Sequence, residues 1–374
     1  MRIGVDARLL LHKLRGIGSY IHNVLEGILK IDSRNQYYLY VNGCSPYNLV
    51  QLEKNEILKS LASFRNVNIV PINSKYEFLW EQFLLPAQAK SDKLDILHMT
   101  ANRAPFRPPC KLIVTVHDMI EILFFDKMYR TLKGIRGRFY DLRAGLYIKF
   151  LYYNVFKKAD AVITVSDYSK NDITKIAGVN PDKIKVIHNG YNTEFEFKNL
   201  PRDTFVFAFG NGADHKNCPA MIKAYTLLPD SLKKKHNLLI AGKIPELEKL
   251  ALDLGEKNII FKDFLPKDTL IKTYNQALCF LFLSSYEGFG IPLLEAMACG
   301  VPVVASNKSS IPEILGGSGI IVDPSDIKAI SSAIEKVLTD EKARKQMADK
   351  GFERVKNFSW EISAKKHLDL YNSI

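Results

Sequence analysis

The sequence predicts an α/β protein of two doubly wound parallel-sheet domains with helices on both faces. Strand-length runs rich in β-branched and aromatic residues alternate with helix-length amphipathic segments. The alternation extends over about 180 residues and then occurs a second time. The chain has 374 residues, 47% hydrophobic and 25% charged, enough apolar surface for two cores.

In the first half, strands are expected at Arg2–Asp6, Tyr37–Val41, Val67–Val70, Ile96–Leu97, Lys111–Val116, Ala161–Val165 and Lys185–Ile187. In the second half they are expected at Phe205–Phe209, Asn237–Ala241, Asn258–Phe261, Leu278–Leu283, Val301–Ala305 and Gly319–Val322. Helical patterns fall between them, among them Gly18–Ile31, Pro219–Leu227, Pro292–Ala298 and Ile327–Thr339. The polar stretch Asn192–Asp203, which contains Pro201, divides a first domain (1–195) from a second (200–357). A last helix near Trp360–Ser373, within 358–374, follows a break at Asn357-Phe358-Ser359, where Ser359 can cap. It is expected to pack back towards the first domain.

No run approaches the roughly 18 uncharged apolar residues of a membrane span. Met1-Arg2-Ile3-Gly4-Val5 opens a strand at once, so no signal peptide is expected. Cys44, Cys110, Cys218, Cys279 and Cys299 are odd in number and far apart, without zinc-ligand spacing. A reducing cytoplasm is the expected location. Collagen, coiled coil, integral membrane protein and disulfide scaffold are excluded.

The net charge of +12 is uneven. Residues 1–200 carry 29 Lys/Arg against 19 Asp/Glu (+10), and residues 201–374 carry 23 against 21 (+2). Between Lys127 and Lys158 stand nine basic residues and one acid, Asp141, interleaved with Phe139, Tyr140, Tyr147, Phe150, Tyr152, Tyr153 and Phe156. Such a segment suits an anionic substrate or the anionic inner face of the cytoplasmic membrane, and equally a solvated helix with its rings in the core. Nucleic acid is not expected, because the charge comes with no known binding module.

In open α/β sheets, ligands bind beyond the carboxyl ends of the strands. After the apolar run Cys279–Leu283 comes Ser284-Ser285-Tyr286-Glu287-Gly288-Phe289-Gly290-Ile291-Pro292, then Leu293–Ala298 and Cys299-Gly300-Val301-Pro302. Gly288 and Gly290 allow a sharp turn and close approach of backbone to a ligand. Pro292 suits the first turn of a helix, and Gly300 with Pro302 ends it. A short helix thus aims its N–H groups and positive dipole end at the strand ends, where a phosphate is stabilised. Glu287 precedes that helix and Glu295 lies about a turn inside it, each able to accept hydrogen bonds from vicinal hydroxyls. Alone, either glutamate is an ordinary loop or first-turn acid; the coincidence of strand end, glycine loop, helix start and two acids points to a site.

This string resembles the nucleotide-sugar signature of glycosyltransferase family 4, the glycosyl transferases group 1 domain, whose fold is GT-B; the resemblance implies two Rossmann-like domains facing a cleft. Glu287 and Glu295 have the spacing of its paired glutamates. The resemblance implies that Glu295 binds ribose hydroxyls, that Glu287 contacts the donor sugar, and that the backbone of Gly288, Phe289 and Gly290 faces sugar and diphosphate. Leu294 is counted with the same site.

Gly210–Asn217 follows the strand Phe205–Phe209 and places Lys216 at a helix start, with Asn217 as cap. An ammonium beside a positive dipole end calls for an anion. In the family this loop carries a lysine, usually with an arginine, that neutralises the leaving diphosphate. Lys216 matches the lysine, and Asn211 and His215 stand where the arginine is expected. Lys243, after Ala241-Gly242, is a second candidate cation. The resemblance also implies that Phe264 and Leu265 lie near the base, although core packing explains them equally well. His117, at the end of Lys111–Val116, matches a family histidine near the reacting carbon; a strand-end histidine faces the ligand side rather than the core. Gly16 and Gly18, in Arg15-Gly16-Ile17-Gly18, resemble the family's first-domain glycine loop. The segments Val162–Ser169 and Ile187–Tyr191 match family stretches expected to shape the hinge.

The resemblance implies a retaining hexosyltransferase using a nucleoside-diphosphate sugar, UDP-glucose-like favoured and GDP-mannose second. The acceptor is expected to be a saccharide or lipid-linked saccharide in envelope or extracellular polysaccharide synthesis. No Asp-x-Asp pair is present, so no cofactor or metal is expected. Rival readings are a nicotinamide-dependent oxidoreductase, against which the incomplete glycine fingerprint at Gly16 counts, a nucleotide-sugar epimerase, and a scaffold on a decayed transferase fold.

Overall fold

The structure is a computed structural model. It describes the chain except residues 12–15, 46–53, 126–134, 203 and 211–212, and for residues 135–142 it describes the backbone alone. Among the described residues, thirteen strands form two all-parallel sheets. The first contains β1 (Arg2–Asp6), β2 (Gln36–Val41), β3 (Val67–Pro71), β4 (Ile96–Met99), β5 (Lys111–Thr115), β6 (Ala161–Thr164) and β7 (Ile184–Val186), in the order β3-β2-β1-β4-β5-β6-β7. The second contains β8 (Phe205–Phe209), β9 (Asn237–Ala241), β10 (Ile259–Lys262), β11 (Cys279–Phe282), β12 (Val303–Ser306) and β13 (Ile320–Val322), in the order β10-β9-β8-β11-β12-β13. Every expected strand forms, with ends moved by a residue or two. All positions of β4, β6, β11 and β12 are buried, as helices on both faces of a parallel sheet require.

Both sheets reverse their winding once. In the second, β8 pairs with β9 on one side and β11 on the other, so the loops leaving β8 and β11 are neighbours at the switch point. These are the two loops the sequence singles out, Gly210–Asn217 and Leu283–Gly290.

The chain divides into one unit of Met1–Asn189 with Trp360–Ile374 and another of Gly190–Ser359. The division therefore falls before the polar stretch chosen from the sequence. Residues 190–202 are strapped to the second unit. Lys198 N–H donates to Asn275 Oδ1 at 2.7 Å, Asn275 Nδ2 donates to the Glu196 carbonyl at 2.9 Å, and Arg202 donates to the carbonyls of Ala277 (2.8 Å) and Gly300 (2.6 Å). Polar composition suggested a linker; these bonds make it part of a body.

In the first unit the helix Trp360–Ser373 packs along the helix Ile17–Ile31. The approach is so close that a Cβ on Gly27 would stand 2.7 Å from Ala364 Cβ. A buried chain of hydrogen bonds ties the last helix to the sheet, and it admits one proton arrangement. His367 Nδ1–H donates to the Ser363 carbonyl at 2.8 Å, so the neutral ring accepts at Nε2. Tyr20 Oη–H therefore donates to His367 Nε2 at 2.8 Å, and the Tyr20 oxygen accepts from Thr115 Oγ1 at 3.0 Å. Thr115 in turn accepts from His98 Nε2 at 2.8 Å, and His98 Nδ1 accepts from Tyr371 Oη at 2.7 Å. Burial holds His367 down at about 4 and His98 well below the ordinary imidazole range, which keeps both rings neutral.

Candidate active site

In the second unit the apolar run of β11 carries the chain to the carboxyl edge of the sheet, where Gly290 turns it. Gly290 has φ 106°, a left-handed conformation that costs glycine little, and starts the helix Ile291–Ala298 with Pro292 in its first turn. At the far end, Gly300 N–H donates to Met297 O and Val301 N–H to Ala296 O, with Gly300 at φ 69°: a Schellman stop.

The loop before this helix is held from outside the string. Glu287 N–H donates to Ser309 Oγ at 2.9 Å, and Ser310 Oγ donates at 3.0 Å to the carbonyls of both Glu287 and Phe289. Ser309 and Ser310 are loop-holding residues the sequence reading missed. Their signal was a polar pair just beyond the buried strand β12. Phe289 is itself buried and packs its ring on Phe358 at 5.9 Å, so what it can present to a ligand is backbone. Leu294 is completely buried and serves the packing of the helix.

Lys216 and Glu287 are brought together. Lys216 Nζ lies 2.5 Å from Glu287 Oε1, with both side chains mostly buried. Ser285 N–H donates to the His215 carbonyl at 2.6 Å, which pins one loop to the other. The expected cap is corrected: Asn217 occupies the cap position in a left-handed conformation (φ 53°), and its amide donates to the Pro324 carbonyl at 2.7 Å instead of accepting from the helix. Burial, with Lys216 adjacent, lowers the pKa of His215. Asn211 lies outside the described residues.

Glu295 is partly exposed, and burial pushes its carboxyl up to about 7. Tyr274 Oη donates to its Oε2 at 3.2 Å and pulls the other way. Tyr274 is fully buried among Phe195, Phe207, Phe209 and Phe280. On an ordinary amphipathic helix, Lys267–Gln276, it gave no sequence signal. A carboxyl with a single hydroxyl partner keeps acceptor capacity for ligand hydroxyls.

Other candidates are not joined to this group. Lys243 is more than half exposed and faces Glu248 at 3.7 Å. Phe264 is exposed and Leu265 half-buried, after β10.

In the first unit His117 follows β5 and is 8% exposed. Its Nε2–H donates to the Thr100 carbonyl at 2.9 Å, which makes Nδ1 the acceptor nitrogen, and its backbone N–H donates to Asn102 Oδ1 at 2.8 Å. Burial lowers its pKa to about 4. The ring meets Tyr20 edge-on, with centroids 4.7 Å apart, so the hydrogen-bonded chain from the last helix ends against it. Gly16 caps the helix Ile17–Ile31 at φ 50°, with nothing within 4 Å of where a Cβ would stand; Gly18 is buried in the first turn. Arg15 lies outside the described residues.

Solved glycosyltransferases share this fold over the whole chain. Anabaena Alr3699/HepE, solved in complex with UDP and glucose, matches with a TM-score of 0.74 at 16% identity, covering 100% of both chains. The fold class is therefore GT-B. The description "Glycosyl transferases group 1" matches residues 192–354 and "Glycosyltransferase Family 4" residues 15–195. The chain belongs to this family of glycosyltransferases. Among its relatives, the O-antigen chain mannosyltransferase B of Escherichia coli is 30% identical over 234 residues, 57% of this chain and 60% of that protein. The serotype-specific mannosyltransferase WbdA of Escherichia coli is 31% identical over 68% of this chain. The match spans 32% of WbdA, so the chain corresponds to less than two thirds of either relative.

Proposed function

We propose that the chain is a retaining glycosyltransferase that moves a hexose from a nucleoside-diphosphate sugar to a saccharide hydroxyl in polysaccharide synthesis. The observation that carries this is the Lys216–Glu287 pair, held at adjoining strand ends beside the positive end of the helix Ile291–Ala298. The names of the relatives favour a mannosyl donor over a UDP-glucose-like one, which makes GDP-mannose the first donor to test.

In the transfer the anomeric C–O bond breaks and its electron pair leaves with the diphosphate. The acceptor oxygen bonds to the anomeric carbon on the same face, and its proton passes to the departing phosphate. Positive charge is needed where the diphosphate grows negative, and Lys216 with the helix dipole supplies it. In the structure that ammonium is paired with Glu287. A diphosphate that draws Lys216 away frees the Glu287 carboxylate for sugar hydroxyls, so donor binding prepares both groups at once. Glu295 takes the ribose hydroxyls. With this charge supplied by protein, transfer is expected to continue in the presence of a chelator.

The test is a thermal-shift series with GDP, GDP-mannose, UDP and UDP-glucose on wild type and Lys216→Ala, followed by turnover with the ligand that binds. A ligand at 100 times its Kd stabilises by about 2.7 kcal/mol. One nucleotide pair should do so in wild type, and Lys216→Ala should lose at least tenfold in turnover. Absence of any stabilisation, or an unaffected variant, removes the assignment.

A further inference from the structure

The loop that carries Glu287 is held from two sides, and both holds lead back to one residue far along the chain. Arg354 stands in the last turn of the helix Glu341–Val355. Its Nε donates to the Ile314 carbonyl at 3.0 Å and its Nη2 to the Glu313 carbonyl at 2.5 Å. These carbonyls belong to the end of the short helix Ile311–Leu315. An arginine there satisfies acceptors that the helix leaves open and opposes its negative dipole end. Gly316 follows that helix at φ 57°, and a Cβ on it would stand 2.8 Å from Arg354 Cζ. The missing side chain is what admits the guanidinium.

At the other end of the same helix stands Ser310, whose Oγ donates to the carbonyls of Glu287 and Phe289. A helix of five residues has little stability of its own, so fixing its last carbonyls also fixes Ser310. The second route runs through rings. Arg354 Cζ lies 4.7 Å from the centre of the Phe358 ring, within cation–π reach. Phe358 meets Phe289 edge-on, with centroids 5.9 Å apart, and both rings are buried. One route thus arrives at the carbonyls of the loop and the other at its phenylalanine ring.

We propose that Arg354 is a positioning residue for the transfer, acting through Ser310 and Phe358 to set the place of the Glu287 carboxylate and of the Gly288–Phe289 backbone. The inference rests on the reading of this loop as the donor-sugar site. Groups aimed at developing charge lose much of their effect when they are displaced by a small distance. The ribose end of the donor is assigned to Glu295, on the helix that follows. Loosening the loop should therefore cost turnover more than binding.

Two variants separate the routes. Arg354→Met keeps an unbranched stem against Phe358 and removes both hydrogen bonds to the short helix. Phe358→Leu keeps those hydrogen bonds and removes the ring. Loop movement is read without any ligand, by hydrogen exchange of the full chain in the peptide 284–290, which contains the Glu287 amide bonded to Ser309 Oγ. Each variant should speed exchange there by about tenfold, with peptides from β8 and β9 exchanging as in wild type. With GDP-mannose, or whichever nucleotide sugar of the thermal-shift series turns over, each variant should lower kcat by about tenfold and change the donor KM by less than about threefold.

The proposal is overturned if exchange of 284–290 is unmoved in both variants, if it rises equally throughout the second unit, or if both variants keep the kcat of wild type. A wild type inactive with every nucleotide sugar overturns the donor-site reading instead, and the exchange result then decides alone whether Arg354 holds the loop.

Discussion

Acid should loosen the first unit through its buried histidines, and His367→Gln should reveal how much. His367 and His117 sit at about 4 in the folded chain against 6.5 for an unperturbed imidazole. A folded-state pKa below the unfolded one means that the neutral ring is favoured by folding. The contribution is complete above pH 6.5 and is lost as pH falls from 6.5 towards 4. Each ring loses about 2.5 × 1.36, or roughly 3.4 kcal/mol, over the whole window. At pH 5 an unfolded ring is about 97% protonated and a folded one about 9%, so unfolding takes up about 0.9 proton per ring and stability changes by about 1.2 kcal/mol per pH unit per ring. His98 acts in the same direction. The two tryptophans, Trp80 and Trp360, both belong to the first unit, so urea unfolding followed by tryptophan fluorescence reads this unit directly. Carboxylates such as Asp32, whose pKa is lowered by hydrogen bonds from Tyr37 and its own turn despite burial, add to the acid loss in both proteins and cancel in the comparison. His367→Gln should be less stable at pH 7 by about 1–3 kcal/mol, the cost of disturbing a buried polar chain. Its dependence on pH between 6 and 5 should be flatter by about 1.2 kcal/mol per unit. Equal slopes in the two proteins, or a His367 ring that titrates near 6.5 by NMR, would refute the neutral chain.

Glu295 has the opposite sign. Its folded pKa of about 7 stands above the ordinary 4.5, so the stability it contributes is present below pH 4.5 and lost as pH rises through 7. Glu295→Gln should therefore raise the melting temperature at pH 8 while weakening nucleotide binding at least tenfold; a variant that binds like wild type takes Glu295 out of the ribose site. His117→Ala should lose turnover yet still be stabilised by donor in the thermal-shift series, because the donor groups proposed above all lie in the second unit. Unchanged turnover would leave His117 as a strand-end packing residue.

Much of the molecule was legible from short-range pattern. Apolar runs such as Cys279–Phe282 have strand length and fall between helical periods, so all thirteen strands could be named before any coordinates. Gly290, Pro292 and Gly300 each have a backbone preference that acts within one turn, so the start and stop of the helix Ile291–Ala298 followed directly. The strand-end position of Glu287 and Lys216 came from the same local reading.

Contacts between residues distant in sequence were decided by the tertiary structure alone. Lys216 and Glu287 are 71 residues apart, and their ion pair exists because β8 and β11 are neighbours at the switch point, a fact of strand order that no local pattern encodes. The support of Glu287 by Ser309 and of Glu295 by Tyr274 arises in the same way. So does the burial of His98 and His367, which the sequence shows only as two polar residues and the fold turns into a neutral, ordered chain. Strands and turns follow from interactions within a few residues; pairing, burial and the resulting shifts in protonation depend on which segments the packed sheets bring side by side.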